Sequence, residues 1–362
     1  MKSAPSLDVA EIAERLRNLL AVVPIASGVN TRDGDVGFRG EVDAAFDLNV
    51  SGKAWTLLAE INSSGQPRHV RDAALRLRRA LETDHARTYG IIVAPFLSAQ
   101  SQEILRSEGL GWMDLAGNSR ISFGGMHIEI EKTQRDPFTT KRAQQSLFAP
   151  KSARVLRAMM TNPGPWKVTE LSARAGVSLG QVSNVRRLLL DKEWAEVDPA
   201  GGLRLRQPGA VLDAWRDAVR PPEVAMRAYT TLHGSELDSQ MRELFGRAQL
   251  AGAQVLLAGH SVARRLAPFA RISGEFFYAD ANGIELIKHH LRTSPADRGE
   301  NITVFQVPDD GLWAEALNRP QGMHSAGLVQ TYLDLWSTGE RGREAAEHFR
   351  RELLDPSLVT AT

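Results

Sequence analysis

Cysteine is missing altogether from the 362 residues. Its absence excludes disulfides and thiolate metal centres and fits a reducing compartment. No apolar run approaches the ~20 residues that a membrane-spanning helix requires; the longest, around Val255 to Ala258, are far shorter. The start of the chain shows no basic stretch followed by an apolar core, so no secretory signal is visible and a cytoplasmic protein with no membrane association is expected. The nine histidines fall at no metal-ligand spacing, and the adjacent His289 and His290 cannot both face one site from a helix. No Ser-His-Asp set, internal repeat or low-complexity tract is present. Gly201-Gly202 lacks the strand-to-helix context of a phosphate loop. What remains is an ordinary globular composition, 43% apolar and 24% charged, in a chain long enough for two or three domains.

The net charge of +1 conceals an uneven distribution. Residues 1–132 carry 15 Lys/Arg against 17 Asp/Glu, a net of −2, and residues 223–362 carry 14 against 18, a net of −4. Residues 133–222 carry 15 against 8, a net of +7. A concentrated positive excess is what a phosphate-binding module needs, because each neutralised phosphate releases condensed counterions.

The first segment opens on helical periodicity at Val9, Ile12, Ala13, Leu16, Leu19 and Leu20, with Ser6 or Asp8 as the cap. Val42, Ala44, Phe46, Leu48 and Val50 then alternate with polar or small residues, as do Trp55, Leu57, Ala59 and Ile61, so two half-buried strands with acidic solvent faces are expected around a Ser51-Gly52-Lys53 turn. A basic helix over 68–81 follows, carrying Arg68, Arg71, Arg76, Arg78 and Arg79. After it come a strand at 89–94, a helix at 98–108 and a meander with turns at Gly117-Asn118 and Gly124-Gly125. This order is an α/β domain over 1–132, and the polar stretch 133–149 reads as a linker.

Residues 150–222 carry the clearest pattern. A helix at 152–160 is broken by Asn162-Pro163-Gly164-Pro165. Thr169 is placed to cap a second helix, and Gly176-Val177-Ser178 makes a tight turn whose glycine tolerates a positive φ. Ser178 caps a third helix running to about Lys192. Leu171, Ala175, Val177, Val182, Val185, Leu188 and Leu189 point inward. The outward set on the third helix includes Gln181, Ser183, Asn184, Arg186 and Arg187, groups that hydrogen-bond base edges and phosphates. A hairpin with its turn at Asp198-Pro199-Ala200-Gly201-Gly202 sends Leu203 and Leu205 inward and Arg204 and Arg206 outward. This is the grammar of a winged helix-turn-helix. Residues 223–362 alternate short strands and helices, which predicts a further α/β or α+β domain.

Asp43 and Asp47 share one strand face, and Glu60 and Asn62 share another. Two carboxylates brought together by strand pairing are a means of holding Mg²⁺. The pattern resembles the PD-(D/E)XK core of restriction endonucleases, with Asp43, Glu60 and Asn62 in the motif positions. Asn62 stands where that family has lysine, and a neutral amide supplies no positive charge to a pentavalent phosphate. A restriction-endonuclease-like N-terminal domain without nuclease activity is therefore expected, with no cofactor. Mg²⁺ on Asp43 and Glu60 belongs to the alternative of a metal-dependent DNA nuclease.

Further strings resemble the AbiEi-type transcriptional regulators, the antitoxins of type IV toxin–antitoxin systems and their relatives. They are Gly327 to Trp336 followed by Glu340 to Ala346, Gly259-His260-Ser261-Val262-Ala263 with Leu266-Ala267-Pro268, Gly111 to Asn118, and Glu60-Ile61-Asn62 with Ser64 to Arg68. The resemblance implies a DNA-binding repressor, often one that controls its own operon. This chain departs from many of those antitoxins in placing about 150 residues before the winged helix. The expected protein has a nuclease-like domain (1–132), a linker (133–149), a winged helix (150–222) and an AbiEi-like C-terminal domain (223–362). It binds double-stranded DNA through Ser178, Gln181, Ser183, Asn184 and Arg187 in the major groove and through Arg186, Arg204 and Arg206 on phosphates. Alternatives are the nuclease and an antitoxin-like interaction module with a toxin or other protein as partner. A homodimer is compatible with such DNA recognition.

Overall fold

A computed structural model describes residues 8–32, 42–83, 87–134, 136–138, 147–162, 164–269, 273–296, 298–307, 309–318 and 322–359. Ser6, Pro163 and much of the expected linker lie outside the described residues. The chain divides into two compact units, residues 1–143 with 189–193, and residues 144–188 with 194–362. Both are mixed α/β, and each carries a seven-stranded sheet.

In the first unit, helix α1 (Val9–Leu20) precedes strands β1 (Ala26–Thr31), β2 (Ala44–Val50) and β3 (Lys53–Ile61). Asp8 caps α1, accepting from the Ala10 amide at 3.3 Å. Then come α2 (Pro67–Thr83), β4 (Thr88–Ala94), α3 (Ala99–Ser107), β5 (Gly111–Asp114), β6 (Ser119–Phe123) and β7 (Met126–Ile130). The strands lie in the sheet in chain order. Pairing is parallel for β3–β4 and β4–β5, the pairs joined through helices, and antiparallel elsewhere. The β2–β3 hairpin turns on Ser51 and Gly52, whose φ values of 52° and 74° are the two left-handed residues of a twist-matched two-residue turn.

Helices cover both faces of this sheet. Ile12, Ala13, Leu16 and Leu20 of α1 pack on Phe46, Leu48, Leu57, Ile91 and Val93. On the opposite face, Val70, Ala73, Ala74 and Leu77 of α2 and Ile104 and Leu105 of α3 cover Ala45, Leu58, Ile92 and Trp112. The expected acidic solvent face of β2 and β3 is thus corrected: the same parity that carries Asp43, Asp47 and Glu60 also carries buried Ala45 and Leu58. Two successive β-α-β crossovers of one hand place both connecting helices on one side of the sheet, over that face.

The second unit begins with α4 (Pro150–Thr161), α5 (Val168–Ala175) and α6 (Leu179–Asp191) up to Leu188, the last turn of α6 being counted with the first unit, then the hairpin strands β8 (Ala195–Val197) and β9 (Leu203–Leu205) and helix α7 (Pro208–Ala218). The rest comprises β10 (Val224–Tyr229), α8 (Gly234–Ala251), β11 (Val255–Leu257), α9 (Gly259–Leu266), β12 (Glu275–Ala279), α10 (Ala281–His290), β13 (Ser294–Pro295), β14 (Ile302–Phe305), α11 (Gly311–Ala314), β15 (Leu317–Asn318), β16 (His324–Ser325), α12 (Leu328–Trp336) and α13 (Glu340–Phe349). A π-helical turn, Arg350–Leu354, leads into α14 (Asp355–Val359). Its sheet runs β13-β10-β14-β12-β11-β16-β15. Helix α12 is buried along Val329–Leu335 rather than on one stripe, the pattern of an interior helix.

Buried polar groups join α4 to α11, its flanking residues and α12. Arg154 forms a bidentate pair with Asp309, one arm at 2.9 Å. Gly311, where a Cβ would meet the Arg154 side chain at 2.6 Å, leaves room for it. Arg157, with a side chain only 6% exposed, lies 2.7 Å from Glu315, 3.3 Å from the Gln330 carbonyl oxygen and 5.8 Å from the Trp215 ring centroid. Gln330 in turn donates to Asp334 Oδ1 at 2.8 Å, which also accepts from the Tyr278 hydroxyl at 2.7 Å.

Burial raises Asp334 from 3.8 to about 7 despite the Tyr278 and Gln330 hydrogen bonds that favour its charge. Burial likewise raises Glu315 from 4.5 to about 7 against the pull of Arg157. The folded protein therefore keeps two protons that the unfolded chain gives up, and these groups contribute less stability as pH climbs from about 4 to about 7. Asp334→Asn removes the Asp334 share. In denaturant titrations at pH 4.5 and 7.5, the variant should gain on the parent at the higher pH, and a gain at the lower pH instead would reverse the assignment. Arg157→Ala, which strands Glu315, should cost about 3–5 kcal/mol in urea unfolding, whereas Arg157→Met with Glu315→Leu should recover most of the loss.

Candidate nucleic-acid interface

Helix α4 is followed by a single bridged residue, Trp166, whose amide and carbonyl pair with those of Leu203 at 2.9 and 2.8 Å. The order is therefore helix, short strand, helix, turn, helix and two strands, with the first strand adding itself to the β8–β9 hairpin. The turn between α5 and α6 uses Gly176 at φ 61°, in the left-handed region that favours glycine. The Ser172 hydroxyl closes it by donating to the Val177 carbonyl at 2.6 Å. Thr169 does not cap α5. The helix starts at Val168, two residues earlier than a Thr169 cap implies, and Glu170 reaches back to the Lys167 amide at 3.2 Å. Ser178 Oγ accepts from the Gln181 amide at 3.3 Å, the N-terminal capping geometry expected of it.

On α6, Val182, Val185 and Leu189 are fully buried, and Ser183 and Arg187 on the other side are exposed. Asn184 and Arg186 are half-buried, and Asn184 Oδ1 accepts from Arg187 at 3.0 Å. Gln181 differs from its expected role: its amide donates to Ser152 Oγ on α4 at 2.8 Å, so the side chain is spent holding α6 to α4. In the hairpin, Leu203 and Leu205 are buried, Arg206 is exposed, and half-buried Arg204 lies opposite Glu196. Asp198 shapes the tip, accepting from the Gly202 amide at 2.6 Å, and Gly201 sits there at φ 85°. Ser183, Asn184, Arg186 and Arg187 thus share one stretch of α6, with Arg204 and Arg206 on the adjoining hairpin.

In the first unit, pairing of β2 with β3 sets Asp43 beside Glu60. Asp43 is exposed, and its Oδ2 accepts from the Ile61 amide at 2.7 Å. Glu60 is 5% exposed and forms an ion pair with Arg76 of α2, the Nε bond being 2.7 Å. Burial pushes its carboxyl up and the neighbouring Asp43 adds to this, while Arg76 opposes both. Asp47 is engaged elsewhere, by Arg32 at 2.8 Å and the Thr56 hydroxyl at 2.9 Å. Asn62 donates to the His69 carbonyl at 3.1 Å and accepts from the Ser64 amide at 3.2 Å, pinning the loop that leads into α2. Gly65 within that loop passes so close to Phe96 that a Cβ would collide with its carbonyl. Among the described residues no three His, Asp or Glu side chains converge as metal ligands. This arrangement does not fit a catalytic cation: one carboxylate already has a guanidinium, and the lysine position is tied to backbone.

Sequence reasoning missed the part played by Asp114. It is 1% exposed and accepts from the Asn118 amide and side chain, both at 2.9 Å, and from the Leu97 amide at 3.3 Å. Asn118 Oδ1 in turn receives the Lys132 amide at 2.8 Å. An acid between the apolar Met113 and Leu115, four residues before an asparagine, was its only sequence signal.

Asn62→Ala should lower stability by about 1–3 kcal/mol in urea unfolding, because it removes two part-buried hydrogen bonds that hold the loop to α2. Plasmid DNA should stay intact with Mg²⁺ or Mn²⁺, for the parent and for Asn62→Lys alike. Cleavage that disappears in Glu60→Ala would restore the nuclease alternative.

No family model matches the chain, and no curated protein matches it. The resemblance to AbiEi-type regulators accordingly rests on the quoted strings alone. Among solved structures, a repair endonuclease from Pyrococcus abyssi aligns over 31% of this chain and 48% of its own, at 22% identity and a TM-score of 0.23. The match spans about half of that protein's length, and a TM-score this small does not establish a common fold.

Proposed function

We propose that this protein is a sequence-specific double-stranded DNA-binding protein, a transcriptional regulator that reads DNA with a winged helix formed by α4, α5, α6 and the β8–β9 hairpin. The observation that carries the reading is the Trp166–Leu203 bridge. It pairs a residue before α5 with the β8–β9 hairpin, the chain order that a winged helix uses, within the segment of net charge +7. In this reading α6 enters the major groove. Ser183, Asn184 and Arg187 face base edges, with Ser178 at the helix start. Arg186, Arg204 and Arg206 neutralise phosphates. Gln181 is assigned to positioning α6 through Ser152.

The nuclease reading has no such support. Its amide and one of its carboxylates already serve the fold, and the first unit is assigned a scaffold role. An interaction module with a protein partner, as the antitoxin resemblance implies, has no specific observation in its favour.

The test is fluorescence anisotropy with the DNA upstream of the protein's own gene, against scrambled competitor, over a salt series. Binding that resists competitor is expected. Asn184→Ala should lose about 1–3 kcal/mol of discrimination at one base position. Arg206→Ala should weaken all sequences alike and reduce the salt slope by about 1. Absence of binding at every salt concentration would sink the proposal.

A further inference from the structure

Ser178, Leu179 and Gly180, the cap and the first two residues of α6, are all exposed. Leu179 is 52% exposed, whereas Val182, Val185 and Leu189, which set the phase of the helix, are fully buried. Among the described residues of 150–206, Leu179 and Val197 are the large apolar side chains left in water. A single exposed leucine is ordinary on a protein surface. The residue beside it makes this one informative. Gly180 stands three, four and seven residues before Ser183, Asn184 and Arg187, so it lies on their side of the helix, opposite the buried stripe. Leu179, four residues before Ser183 and seven before Arg186, borders the same side. Glycine is the poorest helix former after proline, and it is required where φ is positive or where a neighbour crowds the backbone. Gly180 meets neither condition. It has the negative φ of a helix, and a Cβ built on it meets no atom of the described residues within 4 Å. Nothing in the described fold calls for the glycine, and nothing in it covers the leucine.

Glycine also serves where a ligand comes close to the backbone. We propose that the first turn of α6 is the point of closest approach to DNA, where bare Gly180 admits the floor of the major groove and Leu179 is a specificity-determining residue that packs on a thymine C5-methyl group. The inference rests on the winged-helix reading and deepens it, adding an apolar contact to a polar set. Leucine carries no hydrogen-bonding group, so it tells bases apart only through an apolar feature. The thymine methyl is the apolar feature that base pairs present in the major groove; the other base edges there are donors and acceptors. Recognition helices reach base edges with their N-terminal residues, which is where Leu179 and Gly180 stand. The charge around them suits a polyanion: Arg186 lies two turns on from Leu179, Arg187 two turns on from Gly180, and the segment 133–222 carries a net +7.

The DNA upstream of the protein's own gene supplies the probe in two forms, one made with thymine and one with uracil throughout. The two differ only in the C5-methyl groups and share every hydrogen-bonding edge. In fluorescence anisotropy with the full chain, the parent should bind the uracil form about three- to tenfold more weakly, the range for losing one or two buried methyl-sized contacts. Leu179→Ala should bind the thymine form more weakly than the parent does, and its penalty for uracil should shrink to within about twofold, the mark of a shared contact in a double-mutant cycle. Gly180→Ala should unfold at the parent's denaturant midpoint or above it, because the added Cβ meets nothing and favours the helix, yet bind the thymine form at least about tenfold more weakly. Equal binding of the two forms by the parent, a uracil penalty undiminished in Leu179→Ala, or parent-like binding by Gly180→Ala overturns the inference and leaves the winged-helix reading standing. Failure of the parent to bind the thymine form at any salt concentration sinks that reading, and the thymine contact with it.

Discussion

The Arg157 guanidinium leaves the middle of α4 and ends almost out of reach of water, against Glu315, Gln330 and the Trp215 ring. Removing a charge from water costs several kcal/mol, and only a fixed set of partners offsets it. α4 therefore cannot slide or rotate against α11 and α12 without stranding that charge. One turn earlier, Arg154 applies the same constraint through Asp309. α5 packs on α4, and Ser152 of α4 holds Gln181 of α6. The orientation of the surface bearing Ser183, Asn184 and Arg187 is thus inherited from ion pairs on the far side of α4.

Features set by neighbouring residues were legible in the sequence. Gly176 and Ser178 mark the α5–α6 turn, because a left-handed residue and a capping hydroxyl are local requirements. The exposed side of α6 could be read because Val182, Val185 and Leu189 fix the helix phase. Features that depend on distant partners were not. Alternation along β2 and β3 revealed one buried face, but the second face carries Asp43, Asp47 and Glu60 beside Ala45 and Leu58, and only the presence of α2 and α3 buries it. The edge strand β1 buries little beyond Val29, and β10 little beyond Ala228, so neither shows a period. Helix α8 hides its identity in the same way, with Met241, Leu244, Phe245 and Ala248 as its buried residues among many polar ones. The Ser152 partner of Gln181 is 29 residues away, beyond any local pattern.

Asn62, a candidate motif position, and Asp114, which the sequence did not single out, are both fastened to backbone. Asn62 and Asp114 occupy the ends of parallel strands, where catalytic groups of α/β enzymes commonly gather. Both are consumed by backbone: Asn62 by His69 and Ser64, Asp114 by Leu97 and Asn118. At the end of a strand the chain must turn, and a short polar side chain that accepts amides there stabilises the turn while burying its own charge or dipole. The same economy explains Ser261 in the Gly259-His260-Ser261 string. It is fully buried, and its hydroxyl oxygen accepts from the Phe276 amide at 2.7 Å.

Gln330 connects the two ends of the second unit's polar core. Its carbonyl oxygen accepts from Arg157, and its amide donates to Asp334 one helical turn along α12. An amide with both ends engaged cannot serve one partner in a new position without moving the other. Asp334 is poised for such a change, since burial brings its proton affinity close to neutrality. Protonation of Asp334 draws negative charge away from Oδ1, weakening the bonds from Gln330 and Tyr278 together. Arg157 then faces the choice of following Gln330 or leaning further on Glu315, whose own carboxyl burial has brought to about 7. Both responses act on α4, the helix on which the proposed DNA-reading surface is built.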